Sequence, residues 1–189
     1  MAYSLRLIED RLAANAAAPV SRASRVLYAV DGAARARAAT TAARVYRVEL
    51  VRQPPPSAGG RVLLEHPIDL AGGSGWLMRC DRVDFDPGGV APPHRHQGGG
   101  IRCLLQGRLE VTVGEGAPRA VVPGEAWFES GREPVLAVAA RDAETSFIRV
   151  SILPAAIAGR SSILYVDPAA AAGGRPRRYT VYVDEPIAL

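Results

Sequence analysis

Residues 86–107 read DPGGVAPPHRHQGGGIRCLLQG. The stretch sets His94 and His96 two residues apart, between a proline-glycine bend and an apolar run. In an extended strand successive side chains point to opposite faces, so residues two apart share one face. The two imidazoles therefore project together, with Arg95 turned the other way. A shared His-x-His face is half a site for a divalent transition metal, for which imidazole is a common ligand. The chain has 3 histidines, and two of them sit here, which makes this the sharpest functional signal in the sequence.

Outward from this stretch, the chain consists of short apolar runs cut by Gly, Pro and Asp. Candidate strands are 24–30, 44–52, 61–65, 75–85, 101–105, 108–113, 120–122, 126–129, 135–139, 146–153, 162–166 and 179–183. Many short strands at regular spacing predict an antiparallel sandwich or barrel. Asp31-Gly32 reads as a two-residue hairpin turn, and 53–60 (QPPPSAGG) as a loop or linker. Leu5, Ile8 and Leu12 fall at helical spacing and predict one short amphipathic helix over 4–16. The other helical candidate is 168–172. A faint repeat relates 24–38 to 100–113. Setting Gly32 on Gly107 puts Pro19 and Ser21 where His94 and His96 stand, so a first half of this kind would have strands without the site. The ordinary likeness of two β-hairpins accounts for the repeat equally well.

A chain of 189 residues supports one well-filled domain or two small halves. Its 48% hydrophobic and 22% charged residues are ordinary for a globular protein. The net charge is +4, and all 23 basic residues are arginine. The arginines are scattered, with the tightest group at Arg175, Arg177 and Arg178, and there is neither a basic stripe nor a DNA-binding motif, so no nucleic-acid partner is expected. No run approaches the ~18 apolar residues of a membrane span. Glu9 and Asp10 interrupt the place where a signal peptide needs its apolar centre, so the N-terminus is expected to be mature sequence. Cys80 and Cys103 are too few for a disulfide framework and read as reduced, partly buried thiols of a cytoplasmic protein.

Gly88, five residues, His94-Arg95-His96 and an apolar strand ending in Gly107 resemble the first motif of the cupin superfamily. Residues 114–135, GEGAPRAVVPGEAWFESGREPV, resemble the second, with Pro123-Gly124-Glu125 at its start. The resemblance implies an all-β, antiparallel double-stranded β-helix (a jelly-roll barrel) with a metal in its mouth, and likens the chain to small bacterial cupins. It implies a cupin core over 75–153, with 154–189 adding strands that pack on the barrel. Residues 1–74 are then an N-terminal extension, either a degenerate metal-free half or a segment that completes the sheets.

The family's ligand set is degenerate here. Its usual glutamate falls on Gly100 or Ile101, and counting from Pro123-Gly124 puts its third histidine on Pro134. Glu129, ending the run 126–129 before a turn, is the expected substitute. It would complete two histidines and one carboxylate, the set associated with non-haem Fe(II); Mn, Ni or Zn would suit it too. The competing reading is an exposed turn residue. Arg102 would share the face of the family's glutamate. An inward arginine needs a partner because it stays charged, so it would pair with Glu129 or clamp a substrate carboxylate. A one-residue slip in register would instead put it on the surface.

The implied function is a metal-dependent enzyme, a dioxygenase acting on a small organic acid. Its metal is held by His94, His96 and Glu129, with Arg102 and Glu129 as catalytic residues, in a homodimer. The alternative is a non-catalytic small-molecule binding or sensor module that has lost part of its metal site; a sugar isomerase or epimerase comes third. Gln97 reads as a turn residue or an amide ligand, Gly98 to Gly100 as turn chemistry or a closely approached backbone, and Trp127 as core or pocket wall. His66 reads as a strand-end histidine, and Cys103 as facing away from the histidine pair.

Overall fold

The structure, a computed structural model, describes residues 2–13, 24–30, 43–53, 59–70, 75–172 and 178–189. It divides into two compact units, Met1–Gly73 with Ile187–Leu189, and Ser74–Pro186.

The first unit holds one antiparallel sheet built from β1 (Tyr3–Leu12), β2 (Ser24–Ala29), β3 (Ala43–Arg52) and β4 (Arg61–Ile68), in the order β2-β3-β1-β4. The helix expected over 4–16 is therefore a strand as far as Leu12, and residues 14–16 lie outside the described residues. β1 is hydrogen-bonded on both sides, by β3 and β4, and nearly every residue in it is buried. A strand buried on both faces lacks the apolar-polar alternation of a half-exposed strand, and Leu5, Ile8 and Leu12 keep helical spacing by coincidence. Its buried charges are answered across the ladder. Arg6 stands opposite Glu49 and donates from Nη2 to Glu49 Oε2 at 2.9 Å, while Arg47 pairs with Asp10 at 2.6 Å and with Glu49 at 2.6 Å.

The second unit continues with β5 (Trp76–Phe85), β6 (Val90–His96), β7 (Gly100–Gln106), β8 (Leu109–Val113), β9 (Arg119–Val121), β10 (Ala126–Glu129), β11 (Val135–Ala139), β12 (Thr145–Pro154), β13 (Ile163–Tyr165) and β14 (Arg178–Ile187). They form two five-stranded sheets, β10-β7-β12-β5-β14 and β13-β6-β11-β8-β9. The apolar runs 75–85 and 146–153 become the long central pair β5 and β12, in register from Phe85 opposite Thr145 to Trp76 opposite Pro154. One core joins the sheets: Phe85, Leu104, Trp127 and Phe147 of the first pack with Leu109, Val111 and Val135 of the second. This is the jelly roll that the resemblance implied. Gly107 makes the turn from β7 to β8 at φ +75°, where an added Cβ would also meet Glu144 O at 2.5 Å.

Residues 168–172 form the expected short helix, a 3-10 turn, and Ala155–Ile157 another. Among the described residues no helix is long and apolar enough to cross a membrane. The Asp31-Gly32 turn, the centre of the 53–60 loop, Arg175, Arg177, and the repeat positions Pro19, Ser21 and Gly32 lie outside the described residues.

Candidate functional site

On β6 the alternation holds residue by residue. His94 and His96 are buried, and Arg95 between them is exposed and donates to Arg132 O at 2.9 Å. The two rings meet edge to face, centroids 4.9 Å apart. His94 Nδ1 lies 2.8 Å from Pro92 O. A carbonyl only accepts, so Nδ1 carries the proton and Nε2 presents a lone pair. His96 Nδ1 lies 3.4 Å from Ser162 Oγ, and its Nε2 is 3.3 Å from Arg149 Nη1. A guanidinium only donates, so His96 Nε2 accepts from Arg149.

The opposite sheet meets the histidines with a row of cross-strand partners: Trp127 on β10 beside Arg102 on β7, Arg102 beside Arg149 on β12, and Arg149 beside Asp81 on β5. Directly paired residues share a face, so all four point the same way. Arg149 is held by Asp81, with Nε 3.0 Å from Oδ1 and Nη2 3.1 Å from Oδ2. Tyr179 of β14 closes this end: its hydroxyl accepts from Arg149 Nη2 at 2.5 Å and donates to Asp81 Oδ2 at 2.9 Å. Glu129 is two residues from Trp127 on the same face. Its Oε1 accepts from the Trp127 indole N–H at 2.8 Å, and its Oε2 lies 2.7 Å from Arg102 Nη2 and 3.7 Å from His96 Nε2.

Arg102 is the most buried cation in this row, 1% exposed. Its Nη1 donates to Gly100 O at 2.6 Å, so the guanidinium bends back over the residue where the family's glutamate would stand. Its Nη2 is buried and ion-paired with Glu129 Oε2 at 2.7 Å, out of line for a hydrogen bond. Burial lowers its pKa to about 10, against the pull of Glu129, which leaves it charged at neutral pH. Burial also opposes the charge of Arg149, but Asp81 and Tyr179 more than offset this and hold its pKa above the usual value. Burial pushes both imidazoles down. Arg149 and Arg102 add to the shift, and His96 falls well below its ordinary value. Both rings are therefore neutral near pH 7.

The strand segments that carry the histidine pair and both arginines lie in a stretch that matches a known family. The family described as Cupin_2, cupin domain, matches residues 81–150. The chain carries a cupin domain. No curated protein matches the chain.

The cupin domain thus brings His94, His96, Arg102 and Glu129 into one place, but their pairing does not fit a divalent cation. Glu129 gives one oxygen to Trp127 and the other to Arg102, and His96 Nε2 is taken by Arg149. His94 Nε2 is left as the one lone pair of the expected ligand set without a donor on it. Among the described residues no group of three or more His, Cys, Asp or Glu side chains is placed to hold a metal. Two buried guanidiniums would also repel a cation set between them. Pro134, where the third histidine was counted, precedes β11 and lies outside any strand; the inward carboxylate comes from β10.

The other candidates fall elsewhere. Gln97 donates its amide to Ser161 O at 3.2 Å, and its backbone N–H bonds to Ser162 O at 2.9 Å, so it ties the chain to the 161–162 segment. The glycines after it are a closely approached backbone: a Cβ on Gly100 would sit 2.5 Å from Val150 O. His66 lies on β4 in the first unit, with Nδ1 2.7 Å from Pro67 O. Cys103, paired with Ile148, is buried on the face of its sheet opposite Arg102. The sequence reading passed over Arg149, Asp81 and Tyr179. For Arg149 the signal was present, a charge inside the apolar run FIRVSIL on the same alternation as Phe147 and Ser151.

This polar cluster, with Tyr165, lines a cavity of about 40 Å³ together with Val83, Phe85, Val135, Ala137 and Phe147. Chemically the site combines apolar side chains with two guanidiniums, one carboxylate ion-paired with Arg102, another with Arg149, and two neutral imidazoles.

Proposed function

We propose that the cupin domain is a small-molecule binding module that takes an organic anion directly on its side chains, without a metal. One observation carries this reading: two buried guanidiniums, Arg102 and Arg149, line one cavity, and Arg102 Nη2, ion-paired with Glu129, makes no aligned hydrogen bond there. A buried donor without an aligned acceptor is costly, and a ligand carboxylate oxygen would supply an aligned, charge-assisted bond. Arg149, balanced by Asp81, would face the same anion. Arg102 is then the ligand's main anchor, and Glu129 the group that orients Arg102.

The test combines metal analysis with binding. Purified protein should contain less than stoichiometric Fe, Mn, Ni or Zn, unchanged in His94→Ala, and butyrate should raise Tm in the native chain but not in Arg102→Met. Stoichiometric metal that disappears in His94→Ala would overturn this reading. It would restore the metal-dependent oxygenase, with His94, His96 and Glu129 as ligands and Arg102 orienting the acid. A homodimer is part of the proposal, supported by Leu164 and Val181, exposed on the outermost strands β13 and β14. A monomer mass in light scattering would remove it.

A further inference from the structure

We infer that the anion taken by this site is a small hydroxy acid, whose hydroxyl stands next to the carboxylate and donates to His94 Nε2. The inference rests on the anion reading above and adds a second contact, of opposite polarity, that a plain carboxylate cannot make.

The polar groups around the cavity divide by what they call for. Arg102 and Arg149 only donate, so they call for an acceptor. His94 calls for the reverse. Its Nδ1 proton is committed to Pro92 O at 2.8 Å, which fixes the tautomer and leaves a lone pair on Nε2 at the tip of the ring. His94 is 7% exposed and lines the cavity. Among the described residues the nearby donors serve other acceptors: the Trp127 indole N–H goes to Glu129, and the Tyr179 hydroxyl to Asp81. Tyr165, with its ring centroid 6.2 Å from that of His94, makes no hydrogen bond to it.

A buried acceptor without a donor is costly, and a carboxylate cannot answer it because a carboxylate only accepts. The ligand therefore brings an O–H or an N–H of its own. The guanidiniums decide between them. An ammonium group here would meet two like charges in a buried setting, while Glu129 and Asp81 are already paired with arginine. A neutral hydroxyl carries no such penalty.

The hydroxyl has to lie close to the acid group. The His94 ring packs on His96 at 4.9 Å between centroids, and His96 Nε2 is 3.3 Å from Arg149 Nη1. The same nitrogen is 3.7 Å from Glu129 Oε2, the oxygen that lies 2.7 Å from Arg102 Nη2. The lone pair and the two cations thus border one small space of about 40 Å³, room for about three waters. A hydroxyl on the carbon next to the carboxylate suits that spacing, and glycolate is the smallest acid that has one.

The experiment is calorimetric titration of the full chain at pH 7.5 with acetate, glycolate, fluoroacetate, glycine and the neutral glycolamide. EDTA in the buffer removes chelation as a source of preference. Fluoroacetate matches glycolate in heavy atoms and lacks the donor, so the comparison is free of size. Glycolate should bind at least about tenfold tighter than fluoroacetate or acetate, and glycine no tighter than acetate. His94→Phe keeps a ring and removes the lone pair, and should bring glycolate to within about twofold of fluoroacetate; His94→Leu serves if that variant does not fold. Acetate, fluoroacetate or glycine binding as tightly as glycolate, or an undiminished preference in the His94 variant, would overturn the hydroxy-acid inference and leave the anion site standing. Failure of every carboxylate to bind, or glycolamide binding as well as glycolate, would overturn both.

Discussion

Arg102 and Arg149 are direct cross-strand partners on β7 and β12, two guanidiniums side by side with 1% and 4% of their surface exposed. Like charges placed directly opposite destabilise a sheet. The pair persists because each cation has its own carboxylate, Glu129 on one flank and Asp81 on the other. The row across four strands is therefore organised around two positive charges rather than around the histidines.

The first prediction tests that dependence. Arg102→Met leaves Glu129 buried without its cation, and should cost about 3–5 kcal/mol of unfolding free energy. The double variant Arg102→Met/Glu129→Gln removes both charges and should recover most of the loss. Urea denaturation of the two single variants and the double gives the coupling energy; additive losses would mean that the pair is not energetically linked.

Acid should destabilise the fold before the carboxylates titrate. His94 and His96 have folded-state pKa values below the ordinary value, chiefly through burial, whereas in the unfolded chain they protonate near pH 6.5. Between the folded and unfolded values the unfolded state binds more protons, so stability falls as pH falls through about 6.5. The limiting slope is about 1.4 kcal/mol per pH unit for each ring. Denaturation midpoints at pH 7.5, 6.5 and 5.5 measure the slope, and His94→Gln/His96→Gln should flatten it.

Restoring the family's glutamate should not restore a metal site. A Cβ at Gly100 would lie 2.5 Å from Val150 O and 2.8 Å from Ser151 Cα, both backbone atoms of the neighbouring strand. Gly100→Glu should therefore lose at least about 1–3 kcal/mol from forced backbone movement, and metal analysis should find no gain in bound Fe or Mn. A stable variant with one metal per chain would refute this.

In the first unit, Glu49 accepts from both Arg6 and Arg47 inside the β1–β3 ladder. Glu49→Leu should cost about 3–5 kcal/mol, as expected when one partner of a buried ion pair is removed. Glu65→Leu, exposed on β4, should stay within about 0.5 kcal/mol. Thermal melts of the two variants compare them directly.

Most strands of the second unit were legible because their apolar runs are short and cut by Gly and Pro; β6, with Pro92 and Pro93 inside it, was extended only on the reading of its histidine pair. β10 and β11 begin and end where the sequence placed them. β1 was not legible: with both faces buried it carries no alternation, and its charges have partners only across the sheet, on β3 and β4. The site divides the same way. His94, His96, Arg102 and Glu129 stand out as polar residues on one face of a strand. That Glu129 binds Arg102 and Trp127 rather than a cation depends on side chains from β7 and β10 meeting at a particular depth, which no local pattern encodes. Tyr179, 98 positions from Asp81, could be joined to it only by the fold.

Tyr179 supplies the hydroxyl that links Arg149 to Asp81, and it does so from β14. On a ribosome the histidine strand and both arginine strands emerge well before it. A nascent chain can thus form much of the barrel while Asp81 and Arg149 still lack this hydroxyl, and the pocket acquires its final wiring only when residue 179 has been made and has found its place at the sheet's edge. An anion bound as proposed would meet an unfinished site during synthesis, so any help it gave to folding would come late.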